Sequence, residues 1–455
     1  MKLIVTIVLS SFFLSSCGGG STTTLSQTTP AANEWTWVSG ANVVSQPGVY
    51  GTQGTPSASN VPGGRNSAVG WTDAAGNFWL FGGVGLSATT DTPGALNDLW
   101  EFSAGQWTWI GGSNLPQQPG SYGTLGVAAP GNIPGARSGA VSWKDASGNF
   151  WLFGGYGEDS SGQFMAGLND LWKYSSGQWT WMSGSNAVNG PGTYGTQGVA
   201  APGNVPGARE SAVSWVDSTG SLWLFGGNNF NDLWKYSGGE WTWVGGSNAS
   251  SQPGTYGTQG VAASGNIPGS RNSAVSWTDA SGNFWLFGGR GLDSTGAFGD
   301  LNDLWKYSAG QWTWVSGSNL VNQQGAYGKQ GTASPNNFPG ARDSAVSWTD
   351  ASGTLWLFGG ESFVPQPPQS AYVDLNDLWK YAAGEWTWVS GADTANQPGM
   401  YGTEGTASPN NVPGARDSAV GWTDASGTFW LFGGYGVDTG PTQGGLNDLW
   451  KLQSQ

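Results

Sequence analysis

The sequence predicts an all-β propeller, a ring of blades that are each a four-stranded antiparallel sheet. The thirty tryptophans of the 455-residue chain fall into six repeated groups of five, and many of the 79 glycines recur at fixed positions in the repeat. Internal repeats of this length are typical of propellers, solenoids and arrays. Frequent turns and few helix formers favour an all-β fold. A W-T-W motif marks each repeat and begins at Trp35, Trp107, Trp179, Trp241, Trp312 and Trp386.

The repeat that follows the first W-T-W motif contains four strand patterns in order. Residues 67–73 alternate small and apolar side chains and end at a hairpin-turn signal. Residues 78–81 are a continuous apolar run, as expected for a strand that is covered on both faces. Residues 97–102 form the third strand, and the W-T-W at 107–109 forms the fourth, with both indoles on one face. Six such copies predict six blades.

The two ends of the repeat region predict how the ring closes. The first motif in the chain is the fourth-strand W-T-W at Trp35, and the last is the third-strand N-D-L-W that ends at Trp450. We therefore expect the N-terminal W-T-W strand to complete the C-terminal blade, which would leave no exposed sheet edge there. The propeller is predicted to span residues 34–455.

The repeat resembles the kelch motif. A Gly-Gly doublet follows an apolar strand, an aromatic residue follows N-D in the third strand, and a Trp opens the fourth strand, in six copies over residues 34–452. This resemblance implies a kelch-type propeller, similar to the central domain of galactose oxidase. The repeats are longer than the usual kelch length of about 50 residues. Most of the excess lies between strand four and the next strand one, as in residues 118–137.

The N-terminal segment predicts export and a lipid anchor. A charged start, an apolar stretch and small residues precede Cys17, the only cysteine, and form a secretory signal that resembles a bacterial lipoprotein lipobox. Residues 1–16 are then a signal peptide, Cys17 is lipidated, and residues 17–33 form a flexible tether. The protein is expected at an outer membrane or cell surface, attached to the membrane only through its lipid.

The composition excludes several classes of function. The chain has no histidine, which removes Ser-His and Cys-His catalysis and every imidazole metal site. Galactose-oxidase-like copper radical oxidases are excluded on the same ground. The net charge of −14 argues against nucleic-acid binding. We therefore expect a monomeric ring that is not an enzyme and has no cofactor.

The alternating up-and-down direction of the strands, which we call strand parity, predicts the binding face. The loops between strands two and three (the 2–3 loops) and those between strand four and the next strand one (the 4–1 loops) are long, and they share one face of the disc. The near-identical 4–1 loops each carry a Tyr and are expected to be structural, whereas the diverse 2–3 loops are expected to contact a ligand. The candidate contacts on the 2–3 loops are Tyr156, Glu158, Asp159, Phe164, Arg290, Asp293, Phe298, Asp300, Glu361, Tyr372, Tyr435 and Asp438.

Six arginines in P-G-x-R motifs are expected to ring the channel mouth. Two interpretations are open. The guanidiniums could bind an anionic ligand in bidentate geometry, and the resemblance permits this because kelch adaptors capture acidic peptides with arginines at similar positions. Alternatively, each arginine could lock its blade by pairing with the aspartate of N-D-L-W. The arginines are Arg65, Arg137, Arg209, Arg271, Arg342 and Arg416, and the aspartates are Asp98, Asp170, Asp232, Asp303, Asp377 and Asp448.

Two further sets of aspartates are predicted to be structural. Those in the W-T-D motifs precede short hairpins, where Asx-turn chemistry accounts for them. The D-S-S-G, D-S-T-G and D-T-G segments of the 2–3 loops contain oxygen ligands but lack a full calcium-binding register. No metal site is predicted from either set.

Three functional hypotheses follow. The leading one is a non-catalytic, surface-tethered recognition module that binds a glycan or a protein on the face carrying the 2–3 and 4–1 loops. The second is an enzyme similar to the kelch-type sialic-acid mutarotase, with Glu210 beside Arg209 as the catalytic acid, although Asp343 and Asp417 occupy the equivalent place in two other copies. The third is a structural scaffold within an envelope protein complex.

Overall fold

The computed structural model describes residues 33–88, 92–163, 166–364 and 371–453. All regular elements in these ranges are β-strands. Within the described residues there is no helix long and apolar enough to cross a membrane. The strands form antiparallel four-stranded sheets, so the predicted all-β propeller architecture is confirmed. The predicted signal peptide (1–16) and the lipidated Cys17 lie outside the described residues.

The sheets are numbered in chain order, and their strands are given from the innermost outward. Sheet 1 consists of Val69–Thr72, Phe78–Phe81, Leu99–Ser103 and Gln106–Gly111. Sheet 2 consists of Val141–Lys144, Phe150–Gly157, Ala166–Ser175 and Gln178–Ser183, with Arg137–Ser138 added to its second strand. Sheet 3 consists of Val213–Val216, Leu222–Phe225, Leu233–Ser237 and Glu240–Gly245.

The remaining strands form sheets 4 to 6 and two small ribbons. Sheet 4 consists of Val275–Thr278, Phe284–Phe287, Leu304–Ser308 and Gln311–Ser316. Sheet 5 consists of Val346–Thr349, Leu355–Val364, Ala371–Ala382 and Glu385–Ser390. Sheet 6 consists of Val420–Thr423, Phe429–Val437, Gln443–Leu452 and Trp35–Ser39, with Arg416–Asp417 added. The ribbons are Arg65–Asn66, Val84–Gly85 and Gly94–Ala95, and Arg271–Asn272, Arg290–Leu292 and Phe298–Asp300.

The first strands surround a central axis. Val69–Thr72 of sheet 1 contacts both Val141–Lys144 and Val420–Thr423, the first strands of sheets 2 and 6. The innermost strand has little free volume around it, because a Cβ added to Gly70 would lie 2.5 Å from the indole nitrogen of Trp422. Small residues therefore occupy the innermost strand because a neighbouring blade fills the remaining volume.

Six backbone hydrogen bonds form a ring around the axis at the loop face, which we call the axial ring. Each amide in the ring donates to the carbonyl oxygen of the equivalent residue in the preceding sheet, over 2.7–2.9 Å. All six residues have a positive φ of 51–60°, a left-handed conformation that is rare outside glycine. The axial ring consists of Ser67, Gly139, Ser211, Ser273, Ser344 and Ser418.

Aromatic side chains fill the space between neighbouring sheets. Trp71 stacks on Phe150 of the next sheet with ring centroids 5.2 Å apart, and its indole nitrogen donates to the carbonyl oxygen of Trp143 over 3.0 Å. Every tryptophan is buried or half-buried, and a buried aromatic side chain covers roughly 150–250 Å². The interpretation of the tryptophans as packing residues is thus confirmed.

The 4–1 loops account for the unusual repeat length. Each loop runs along the outer edge of the following sheet. For example, the Gly126 amide donates to the carbonyl oxygen of Trp181 over 2.8 Å, and the Asn132 side chain donates to that of Trp179 over 3.1 Å. An isolated bridge joins Ala129 to Trp179. Unpaired outer strands are templates for aggregation, so the extra residues act as a strap that covers the edge of each fourth strand.

Candidate functional site

The two kinds of long loop meet on one face, as strand parity predicted. In the 4–1 loops, the Gly120 amide donates to the carbonyl oxygen of Asp159 over 3.0 Å, and the Val188 amide donates to the Asp159 carboxylate over 3.2 Å. Asp159 belongs to the 2–3 loop of sheet 2. Neighbouring loops therefore hold one another in place around the axial ring.

Each P-G-x-R arginine is paired inside its own blade. The terminal nitrogens of Arg137 donate to both carboxylate oxygens of Asp170 over 2.7 Å each, and one of them also donates to the Gly154 carbonyl over 2.9 Å. The Tyr122 hydroxyl and the Trp172 indole donate to the same carboxylate over 2.6 and 2.7 Å. The same set of contacts recurs in all six sheets.

These arginines are out of reach of a ligand at the mouth. The six side chains are 2% exposed or less, and their hydrogen-bond donors face protein oxygens. Burial and the negative Asp170 raise the pKa of Tyr122 far above its usual range, so the tyrosine stays a neutral donor. The geometry therefore favours the blade-lock interpretation over the ligand-binding one for Arg65, Arg137, Arg209, Arg271, Arg342 and Arg416.

Five acidic candidates of the 2–3 loops are also buried. One carboxylate oxygen of Asp159 accepts from the amides of Ser161 and Gln163 over 2.8 and 3.0 Å. Its other oxygen accepts from Val188, so the carboxylate stabilises the loop. Phe164 lies outside the described residues. The buried acids are Glu158, Asp159, Asp293, Asp300 and Asp438, each 6% exposed or less.

Two positions in the repeat meet across each blade interface at the mouth. One is the residue after the lock arginine, and the other lies two residues before N-D-L-W in the preceding sheet. Between sheets 3 and 4 these are Asn272 and Asn229, and the Asn229 amide donates to the Asn272 side chain over 2.8 Å. The next two interfaces carry acids instead, first Asp343 with Asp300 and then Asp417 with Asp374.

The second acid pair is part of a tight group of carboxylates, which we call the acidic cluster: Glu361, Asp374 and Asp417. One oxygen from each lies within 4.8 Å of the other two. Burial and the charge of Asp417 raise the pKa of Asp374 to about 8. Burial and the charges of Asp343 and Asp417 raise the pKa of Glu361 to about 7. The fold thus holds these acids together at an electrostatic cost.

Arg290, the one arginine outside the locks, lies beside these acids. Its guanidinium stacks on Tyr372 with 4.2 Å to the ring centroid and donates to the tyrosine hydroxyl, and it lies 5.6 Å from the ring centre of Phe298. The structure therefore brings together three of the predicted contacts. Tyr372 is 43% exposed and Tyr435, which pairs with Asp417 in strand register, is 40% exposed.

A cavity opens on another side of the mouth, between sheets 2 and 3. Here Gly167 occupies the position that Asp374 has in sheet 5, so no side chain fills the interface. The cavity has a volume of about 350 Å³, and burial raises the pKa of its one carboxyl, Glu210. Arg209, the neighbour of Glu210 in the sequence, is buried against Asp232 and does not line the cavity. The cavity is lined by Tyr156, Ala166, Gly167, Asn189, Glu210 and Asn228.

Sequence reasoning missed the convergence of the acids and omitted Asp374. A signal was present, because the two interface positions carry matching residues in three consecutive interfaces. They are Asn and Asn in one interface and Asp and Asp in the next two. Reading each copy alone concealed this pattern, since the partners belong to different repeats.

Comparisons with known proteins find similar solved structures only at low sequence identity. No protein-family model and no curated protein sequence matches this chain. It is similar to the solved structure of YjhT at 14% identity and a TM-score of 0.49, over 88% of this chain and 95% of that one. It is also similar to a copper-bound fungal alcohol oxidase of the AA5 family, at 12% identity and a TM-score of 0.44. The similarity covers 89% of this chain and 77% of that one. A third similar structure is a Bacteroides thetaiotaomicron protein of unknown function, at 9% identity and a TM-score of 0.44. The similarity covers 93% of this chain and 76% of that one.

The expectation that this protein is not an enzyme is corrected by these comparisons. The solved structures to which the chain is similar include an alcohol oxidase. The expectation rested on the missing histidines, and carboxylates can serve as acids and bases without imidazole.

Proposed function

We propose that this protein recognises a neutral glycan in the cavity between sheets 2 and 3. The observation that carries this proposal is the cavity itself, a concave space of about 350 Å³ in the mouth of the propeller. Ligand sites are commonly concave, with volumes of about 300–1,000 Å³ and a few convergent polar groups. The cavity combines one carboxyl, two carboxamides and one phenol ring.

The chemistry of the lining suits a sugar. The Glu210 carboxylate accepts hydrogen bonds from hydroxyl groups, and the carboxamides of Asn189 and Asn228 both donate and accept. The ring of Tyr156 offers an apolar surface to the C–H face of a pyranose. Together these side chains can satisfy hydroxyls that point in several directions.

The two asparagines are held in place by their backbones. The Asn189 amide donates to the carbonyl oxygen of Gly167 over 2.7 Å, and the Asn228 amide donates to that of Glu210 over 3.2 Å. Both have a positive φ, 56° and 47°, which places each side chain on the rim of the cavity. A fixed rim lowers the entropy lost when a ligand binds.

The charges favour a neutral sugar over an acidic one. A carboxylated sugar would need a cation in the cavity, and Arg209 is buried against Asp232 at 2.6 Å. The chain carries a net charge of −14, which repels anions generally. The predicted lipid anchor and tether would present this cavity at a surface, and that part of the proposal rests on the N-terminal sequence alone.

A glycan array tests the proposal. The purified protein should bind a small set of neutral glycans, and Glu210→Gln should lower each signal because a charged acceptor is lost. Glu385→Gln, which makes the same charge change at a turn on the opposite face, is the control and should not alter binding. Mass spectrometry of the bound sugars shows whether they are converted. A blank array from folded protein, or equal signals from Glu210→Gln and wild type, would overturn the proposal.

A further inference from the structure

We propose that Asp374 and Asp417 share one proton, which joins sheets 5 and 6 at the mouth and makes this blade interface sensitive to pH. Asp374 lies on Ala371–Ala382 of sheet 5, and Asp417 lies on Arg416–Asp417 of sheet 6. Their carboxyl groups hydrogen-bond to each other across the interface. Two ionised carboxylates offer only acceptors, so this hydrogen bond requires that one of the two groups keeps its proton.

The interface between sheets 3 and 4 has the same contact without a titratable group. Asn229 and Asn272 occupy the positions of Asp374 and Asp417 there, and the Asn272 side chain donates to that of Asn229 over 3.4 Å. A carboxamide supplies its N–H donor and its oxygen acceptor at every pH. An acid pair of similar shape supplies the donor only while it holds a proton. The exchange of asparagine for aspartate therefore makes the contact depend on pH.

The surroundings hold both carboxyl groups in place and exclude most water. Asp374 is 4% exposed, and its Oδ2 accepts from Gln443 over 3.2 Å. Its backbone amide donates to the side chain of Asn396 over 2.9 Å. The side chain of Ser418 hydrogen-bonds to Asp417. Burial of this kind disfavours a second negative charge on the pair.

Three further acids add to the cost of ionising both groups. Glu361 is the cross-strand neighbour of Asp374, and Asp343 forms a β-bridge with Glu361. Asp300 of the preceding interface acts on Glu361 in turn. Burial raises the pKa of Asp374, and the charges of Asp417 and Glu361 raise it further. Burial and the charge of Asp343 likewise raise the pKa of Asp417, so the pair holds its proton more tightly than a solvated aspartate does.

The two nearby arginines do not replace the proton. Burial outweighs the charge of Arg416, which acts to lower the pKa of Asp374. The terminal nitrogens of Arg416 are bound to Asp448 over 2.7 and 2.8 Å. Arg290 lies beside the other acids, where its charge acts on Glu361. Two further titratable neighbours are phenols, which supply no positive charge: Tyr372 and Tyr435.

The interface should weaken as the pH rises. A group that binds its proton more tightly in the folded than in the unfolded protein stabilises the fold in acid and loses this effect at higher pH. The contribution declines from about pH 3.9, the pKa of an unfolded aspartate, up to about 8, the raised pKa of Asp374. Above this pH the carboxylates of the acidic cluster repel one another.

Urea unfolding between pH 5 and pH 9 tests the proposal, because the slope of the unfolding free energy against pH counts the protons that folding takes up. At pH 7 wild type should take up about one proton more than Asp374→Asn, whose amide donates to Asp417 without a proton. Asp417→Asn should have the same effect, since one proton serves both groups. Infrared spectra at pH 7 should show a carboxylic acid C=O band in wild type that is weaker in both variants.

The control is Glu404→Gln, which removes an exposed carboxylate from a strap and should keep the slope and the band of wild type. Equal slopes in wild type and both aspartate variants would overturn the proposal. A changed slope in only one of the two variants would also overturn it, because it would show a single buried acid instead of a shared proton. The readouts are proton uptake and a carboxyl band, so none of these outcomes depends on the glycan proposal.

Discussion

The guanidinium of Arg137 holds the carboxylate of Asp170 through two parallel hydrogen bonds of 2.7 Å, and both side chains are fully buried. The pair joins the segment before the innermost strand of sheet 2 to the third strand of that sheet. Tyr122 adds a third donor from the strap. One buried carboxylate therefore fixes three parts of the blade, and the arrangement is repeated in each sheet.

Replacing the lock arginine should cost the fold much of its stability. Arg137→Ala leaves Asp170 charged and buried, and breaking such a pair typically costs about 3–5 kcal/mol. Urea unfolding of the variant should show a loss of this size. Arg290→Ala is the matched control, because this arginine has no lock and should cost about 1 kcal/mol or less. Equal stability of Arg137→Ala and wild type would contradict the lock interpretation.

The turn aspartates should stabilise the protein at neutral pH and lose this effect in acid. Partial burial raises the pKa of Asp217, but hydrogen bonds from Thr219 and Trp223 outweigh it and hold the pKa below its usual range. Because the pKa of the carboxyl is lower in the folded than in the unfolded protein, its charge stabilises the fold at pH values above the unfolded pKa of about 3.9. This contribution is lost as the pH falls below that value.

The variant Asp217→Asn measures this effect. The amide can keep the turn but has one acceptor fewer, so it should lower the free energy of unfolding by about 1 kcal/mol at pH 7. At pH 3 the difference from wild type should shrink, because the aspartate is then losing its charge in the unfolded state. An equal difference at both pH values would show that the carboxylate charge has no part in it.

A side chain at Gly139 of the axial ring should cost stability, although serine occupies the other five positions. Gly139 has a φ of 60°, and an added Cβ would lie 3.1 Å from the Ser211 hydroxyl. Gly139→Ala should therefore destabilise the protein by about 1–2 kcal/mol through left-handed strain and crowding. Gly131→Ala, where a Cβ meets no atom within 4 Å, should change stability by about 0.5 kcal/mol or less. Similar urea midpoints for the two variants would contradict the strain argument.

The sequence allowed the sheets to be predicted but not the site, for a physical reason. Strands and turns are encoded locally, so the W-T-W and W-T-D motifs identify them within a few residues. The lock remained open as an interpretation, because Arg137 and Asp170 suit a salt bridge and a ligand site equally well until their burial is known. Proximity at the mouth depends on packing between blades, which brings Asp374 of one repeat to Asp417 of the next.

The cavity was harder still to predict. It exists because Gly167 leaves unfilled the place that an aspartate occupies three sheets later, and absence of a side chain gives little signal among 79 glycines. Tyr156 and Glu210 were each singled out from the sequence for separate reasons. Only the structure places them around one space.

The measurement that tests the central claim most directly is the affinity of the best array glycan for three forms of the protein, by calorimetry. Tyr156→Ala removes the ring in the cavity, whereas Tyr372→Ala removes an exposed ring elsewhere on the mouth. The account predicts that Tyr156→Ala binds about tenfold more weakly or worse, a loss of about 1.4 kcal/mol, with an unchanged Tm, and that Tyr372→Ala binds as wild type does. Full affinity in Tyr156→Ala together with loss in Tyr372→Ala would place the ligand beside Arg290 and contradict the account.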